Sequence, residues 1–201
     1  MAAGILAAMV HRCSLCATGT PHDAAIEAVI AQHANVIRSY GWTVVHVTAD
    51  GYDLPLSYTV GLSRLFGGRP EVLVSGMDPE QAHALLNAMV SQMRHRPGVF
   101  AVASDVFVAQ LGQRGRLIEV PPESALRVCP VAWHLYLTQA IGDDHRAGSP
   151  PASEVPPYLQ LIVPDADGTY PWANGYSGTR QQLFGPGSFL AQGDLHYSAP
   201  L

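Results

Sequence analysis

A chain of 201 residues, 48% apolar and 13% charged, with mean hydropathy +0.11, can bury a core without disulfides or metals and is too apolar for wholesale disorder. All eleven basic residues are arginine, which excludes chemistry that needs an amine, such as Schiff bases or the lysine of a phosphate-binding loop. The net charge of −5, with no run of arginines, excludes general binding to a nucleic-acid backbone.

The opening MAAGILAAMV is apolar, but it lacks a basic flank and is too short to span a bilayer, so no membrane role is expected. Three cysteines are too few for a disulfide framework, and a reducing cytoplasm is the expected compartment. Two of them, Cys13 and Cys16, lie in an arm over 1–20 and are flanked by His11 and His22. Two thiolates and two imidazoles suffice for tetrahedral zinc. A redox-active pair and ordinary thiols are the alternatives.

A helix is predicted over 21–40. Thr20 is a cap, Pro21 takes the first position, and Ile26, Val29, Ile30, Ile37 and Tyr40 form an apolar stripe that Gly41 ends. His33 falls in that stripe and reads as a neutral, hydrogen-bonded imidazole. Trp42–Val47 and Leu56–Ser63 read as an antiparallel hairpin. In the second strand Leu56, Tyr58, Val60 and Leu62 point one way and Ser57, Thr59, Gly61 and Ser63 the other. A loop over 64–70 and a strand over 71–75 follow.

Asp78 and Pro79 begin a second helix, with Ala82, Leu85, Leu86, Met89 and Met93 buried and His83, Asn87, Ser91 and Arg94 on a polar side. Strands are expected near 105–111 and 116–120, a shorter helix over 131–141, and a buried strand from Tyr158 to Val163. The proline-rich stretch 143–157 reads as a long loop, Asp165–Gly168 as a tight turn, and 177–201 as a glycine-rich tail. The order predicts one α+β domain over 21–176. Its sheet is mostly antiparallel, barrel-like closure being one option, and three helices pack on it.

The ordered motifs GWTVV (41–45), SYTVGL (57–62), RPEVLVSG (69–76), LLN (85–87) and QLIVPDADGTYPW (160–172), with the upstream Cys13 and Cys16, together resemble the bacterial family known as Domain of Unknown Function 4262. The likeness covers roughly residues 13 to 176. One departure is Ile162-Val163 before Pro164, where the family pattern leads one to expect a tryptophan. The resemblance implies a fold grouping and no established activity.

Two readings of function stay open. Hydroxyls and amides at Ser57, Thr59, Gly61 and Ser63, next to Arg64 and Arg69, suit a phosphate or carboxylate. The chain is then a ligand-binding enzyme or binding protein for a small anion, a flavin nucleotide among the candidates by analogy with flavin-binding split barrels. The same small residues would also let a helix pack closely. His46 and Tyr58, read as able to meet across the hairpin, and Glu71, read as a buried acid or an arginine partner, are the acid–base candidates. The second reading is an accessory module that binds a protein partner or a second copy, through the 143–157 loop and the tail.

Overall fold

The computed structural model describes residues 22–47, 54–95, 100, 104–108, 111–137 and 156–185, with backbone alone at 22–27, 130, 133–134 and 137. The arm 1–20, most of the 143–157 stretch and the chain beyond 185 lie outside the described residues. In chain order the elements are α1 (His22–Tyr40), β1 (Thr43–Val47), β2 (Leu56–Val60), α2 (Leu62–Leu65), β3 (Glu71–Ser75), α3 (Pro79–His95), β4 (Asp105–Val108), β5 (Gln113–Val120), α4 (Pro122–Val128), α5 (Pro130–Leu137) and β6 (Tyr158–Ile162).

The strands form one six-stranded sheet in the order β1-β2-β3-β6-β5-β4. Every neighbouring pair is antiparallel except β3 with β6, which is parallel. The sheet does not close into a barrel: β1 and β4 are its two edges. The central strands β3 and β6 are buried along their whole length, and apart from Glu71, Ser75 and Gln160 their side chains are apolar or aromatic.

Helices cover both faces. On one face Ile30, Ala34 and Ile37 of α1, Ala125 of α4 and Ala132 and Leu135 of α5 pack on Val45, Tyr58, Leu73 and Tyr158. On the other, Ala82, Leu85, Leu86, Met89, Val90 and Met93 of α3 pack on Val44, Val72, Val74, Leu117, Leu159 and Leu161. The buried side of α3 is the predicted stripe with Val90 added, and His83, Asn87, Ser91 and Arg94 are exposed. The Asp78 carboxylate accepts the Glu80 N–H at 2.9 Å, the cap expected there.

Four expectations are corrected. The second strand stops at Val60, not Ser63. Gly61 takes φ +109°, and a Cβ there would stand 2.6 Å from the Gly41 carbonyl oxygen, so the chain turns into α2 instead of continuing extended. Leu62 therefore joins the core under α3, opposite Leu56, Tyr58 and Val60. Tyr40, placed in the α1 stripe, is 71% exposed, because the helix ends there with the Gly41 N–H bonded to Ile37 O at 2.7 Å. Gln113–Gly115 belongs to β5, whose ladder with β4 begins at Gln113 opposite Val108. Where one shorter helix was expected, α4 and α5 meet at Cys129, Pro122 and Pro130 each supplying a favourable helix start.

Residues 177–185 lie bonded to the sheet. Asp165 accepts N–H bonds from Asp167, Thr169 and Ser177 at 3.1, 2.8 and 2.9 Å, turning the chain and tethering Ser177. Gln160, buried on β6, accepts the Phe184 N–H at 2.8 Å and donates to Gln182 O at 2.5 Å. Ser75 Oγ accepts the Gln182 N–H at 2.9 Å. Gly76 belongs to the same seam: a Cβ there would stand 1.8 Å from Arg180 O. Gln160→Leu leaves the Phe184 N–H and the Gln182 carbonyl without these partners. It is expected to cost about 1–3 kcal/mol in chemical denaturation and to raise hydrogen exchange at Phe184 before the rest of the sheet.

Candidate functional site

Among the described residues, a dense group of buried polar side chains sits where β2 stops and β3 starts. Glu71, fully buried, opens β3 next to the turn at Gly61. Its carboxylate accepts the Thr59 hydroxyl at 2.7 Å on one oxygen. On the other it accepts the Gly61 and Ser63 N–H groups at 2.9 and 3.1 Å and a short bond from the Tyr136 hydroxyl of α5. Thr59 Oγ also accepts the Val72 N–H at 2.9 Å, so one side chain links both strands to the carboxylate.

Three of these four donors, those of Thr59, Gly61 and Ser63, belong to the set that the sequence suggested for an incoming anion. They hold a carboxyl group, and it is the chain's own Glu71. Of the two readings of Glu71, the geometry shows the buried acid: its four donors are hydroxyls and backbone amides. Burial raises its carboxyl above the ordinary value of 4.5, against the opposing pull of Tyr136, Thr59, Ser63 and Gly61. Burial, then the charge of Glu71, also pushes the Tyr136 hydroxyl and the Cys129 thiol up. Tyr158 rises through burial first and then through Cys129, Glu71, Tyr136 and Tyr58. The cluster is a set of proton-holding groups on the α1–α4–α5 side of the sheet.

The rim is different. Ser63 is half-buried and Arg64 exposed, and the Arg64 guanidinium lies close enough to Tyr136 to oppose the rise of its hydroxyl. Arg69 is turned away: it donates to Met93 O at 3.2 Å and lies 5.9 Å from the Phe66 ring centre.

A second polar group lies on the α3 side. Register places His46 opposite Ser57 and Val45 opposite Tyr58. His46 and Tyr58 therefore point to opposite faces and do not form the pair expected across the hairpin. His46 Nδ1 lies 2.8 Å from Ser57 Oγ, and its Nε2 lies 3.3 Å from His83 Nδ1 on α3. Burial, then His83, lowers the His46 imidazole, with Asp78 pulling the other way. His33 bonds Thr43 Oγ at 3.0 Å through Nδ1 and is lowered by burial and then by His46, in keeping with the neutral ring expected.

Sequence reasoning missed Tyr136 and the meeting of His46 with His83. A lone tyrosine in a short apolar helix carries no motif, and periodicity placed His83 on a polar side without saying which strand that side overlooks. Of the proposed zinc residues, His11, Cys13 and Cys16 lie outside the described residues, and His22 is placed by backbone alone at the start of α1. Among the described residues no group of three or more His, Cys, Asp or Glu could hold a metal, and no helix is long and apolar enough to cross a membrane.

A family model described as "Domain of unknown function (DUF4262)" matches residues 36–177, from the end of α1 past the Asp165 turn. No curated protein and no solved structure matches the chain.

Glu71→Ala strands two hydroxyls and two buried amides and is expected to cost about 3–5 kcal/mol in urea denaturation. Glu71→Gln separates charge from packing. With its value raised by folding, Glu71 contributes stability that is complete below 4.5 and is lost as pH rises through the folded value. The lowered His33 and His46 act oppositely, losing stability as pH falls below their ordinary value of 6.5. Glu71→Gln should therefore remove the loss on the alkaline side and keep the loss on the acid side, read as denaturation midpoints across pH.

Proposed function

The chain belongs to the DUF4262 family, and we propose that it is a small-ligand-binding protein whose ligand is an anion seated at Ser63 and Arg64, above the Tyr136–Glu71 pair. One observation carries the reading: the half-buried Tyr136 hydroxyl is bonded both to a buried carboxyl and to the Gly61 N–H, directly next to the half-buried Ser63 and the exposed Arg64 in the chain. A guanidinium recognises a phosphate or carboxylate with two parallel N–H bonds. The Ser63 hydroxyl is the neighbouring donor. In an enzymatic form of this reading, Tyr136 is the group placed to pass a proton between ligand and Glu71.

The flavin-nucleotide version fits less well. Its phosphate would need Thr59 and Gly61, which Glu71 engages. Its ring would need space over the β2 face where Ser57 and Thr59 are buried beneath α3. A smaller anion at the rim asks for neither. The accessory-module reading is favoured by one separate observation: on the sheet edge β4, Phe107 is 56% exposed, a surface suited to a partner or a second copy. Of the contact surfaces expected for that reading, residues 143–155 and the tail beyond 185 lie outside the described residues.

The test is a titration of the purified protein with inorganic phosphate and with flavin mononucleotide, read by melting temperature and visible absorbance. Phosphate is expected to raise the melting temperature, and Arg64→Ala to weaken binding by about 1–3 kcal/mol through loss of charge-assisted bonds. No shift with either anion, or an equal shift in Arg64→Ala, overturns the reading. A yellow preparation would restore the flavin.

A further inference from the structure

His46 and His83 come from different elements and sit outside the Glu71 cluster. Their facing nitrogens, Nε2 of His46 and Nδ1 of His83, are 3.3 Å apart, with the rings tilted by 41° and their centres 5.5 Å apart. Two imidazole nitrogens on one tetrahedral ion, each at about 2.05 Å from the metal, are separated by about 3.4 Å. The observed separation suits two nitrogens on one ion, and it suits a hydrogen bond between the two rings as well.

The supports of the two rings favour the ion. His46 Nδ1, the nitrogen facing away from His83, is held by Ser57 Oγ at 2.8 Å. A ligating histidine commonly has its other nitrogen fixed by a partner of this kind, which sets both tautomer and ring orientation. Ser57 is itself buried, and His46 is held opposite it by the β1–β2 ladder. His83 is carried on the first turns of α3, whose start is fixed by the Asp78 cap. Both histidines are exposed, which leaves room for water on an ion.

We propose that His46 and His83 form a two-imidazole site for a late first-row divalent cation of the Zn2+, Ni2+ or Cu2+ class. Imidazole selects these borderline ions over the hard Mg2+ and Ca2+, which prefer oxygen. Two protein ligands leave the remaining positions to water or to a small molecule brought with the metal. The site is separate from the anion rim at Arg64 and stands or falls without it.

Calorimetric titration of the full chain with Zn2+ tests the proposal. Cys13→Ser/Cys16→Ser is included so that the thiols of the arm do not supply the signal. The double variant is expected to bind one Zn2+ and to ignore Mg2+. Adding His83→Ala, at an exposed helix position, should weaken Zn2+ binding about tenfold or more while the circular dichroism spectrum stays unchanged. Equal Zn2+ affinity with and without His83 overturns the proposal. So does a double variant that keeps the wild-type circular dichroism spectrum and binds no Zn2+.

Discussion

A carboxyl group with no exposed surface must find its hydrogen bonds inside the fold or stay protonated, and Glu71 organises its surroundings accordingly. Its oxygens collect donors from β2, from the turn into α2, and from α5. Two of those donors are backbone amides at the place where the chain abandons the strand. The left-handed Gly61 turn, the short α2 and the docking of α5 through Tyr136 are thus coupled through one side chain. Thr59 extends the coupling to β3 by accepting the Val72 N–H.

The same strand divides the chemistry of the molecule. Alternation sends Tyr58 into the core beneath α1, α4 and α5, and Ser57 toward α3 and the imidazole of His46. The groups that hold protons tightly (Glu71, Tyr136, Tyr158 and Cys129) gather where burial favours their neutral forms. The two facing imidazoles stand at the solvent on the other side. Burial separates these groups from an exposed pair of imidazoles within one sheet of six strands.

In a chain with 13% charged residues, neutral polar side chains hold the periphery in place. Gln160 and Ser75 fasten the stretch around Gln182 and Phe184 to the centre of the sheet, and Asp165 gathers three amides to bring Ser177 alongside. Among the described residues, an ion pair of Arg116 with Asp105 at 2.9 Å joins β5 to β4 at the edge. Its solvent exposure limits what it adds to stability.

Sequence by itself determined the elements whose physics is local. The α3 stripe, its Asp78 cap, the β1–β2 hairpin, the largely apolar β6 and the Asp165 turn all follow from periodicity and capping within a few residues. It also marked the Thr59–Gly61 segment as suited either to an anion or to close helix packing. Only the tertiary structure decided that these donors meet a carboxyl group of the chain itself, because the answer lies in Glu71, ten residues beyond Gly61, and in Tyr136, sixty-five beyond Glu71. Likewise, a period of two shows that Tyr58 and His46 each face one side of a strand. Which residues stand across from them depends on the ladder register, and which helix covers them depends on the packing angle of α3. Those are set by long-range burial, which has no signature in the neighbouring residues.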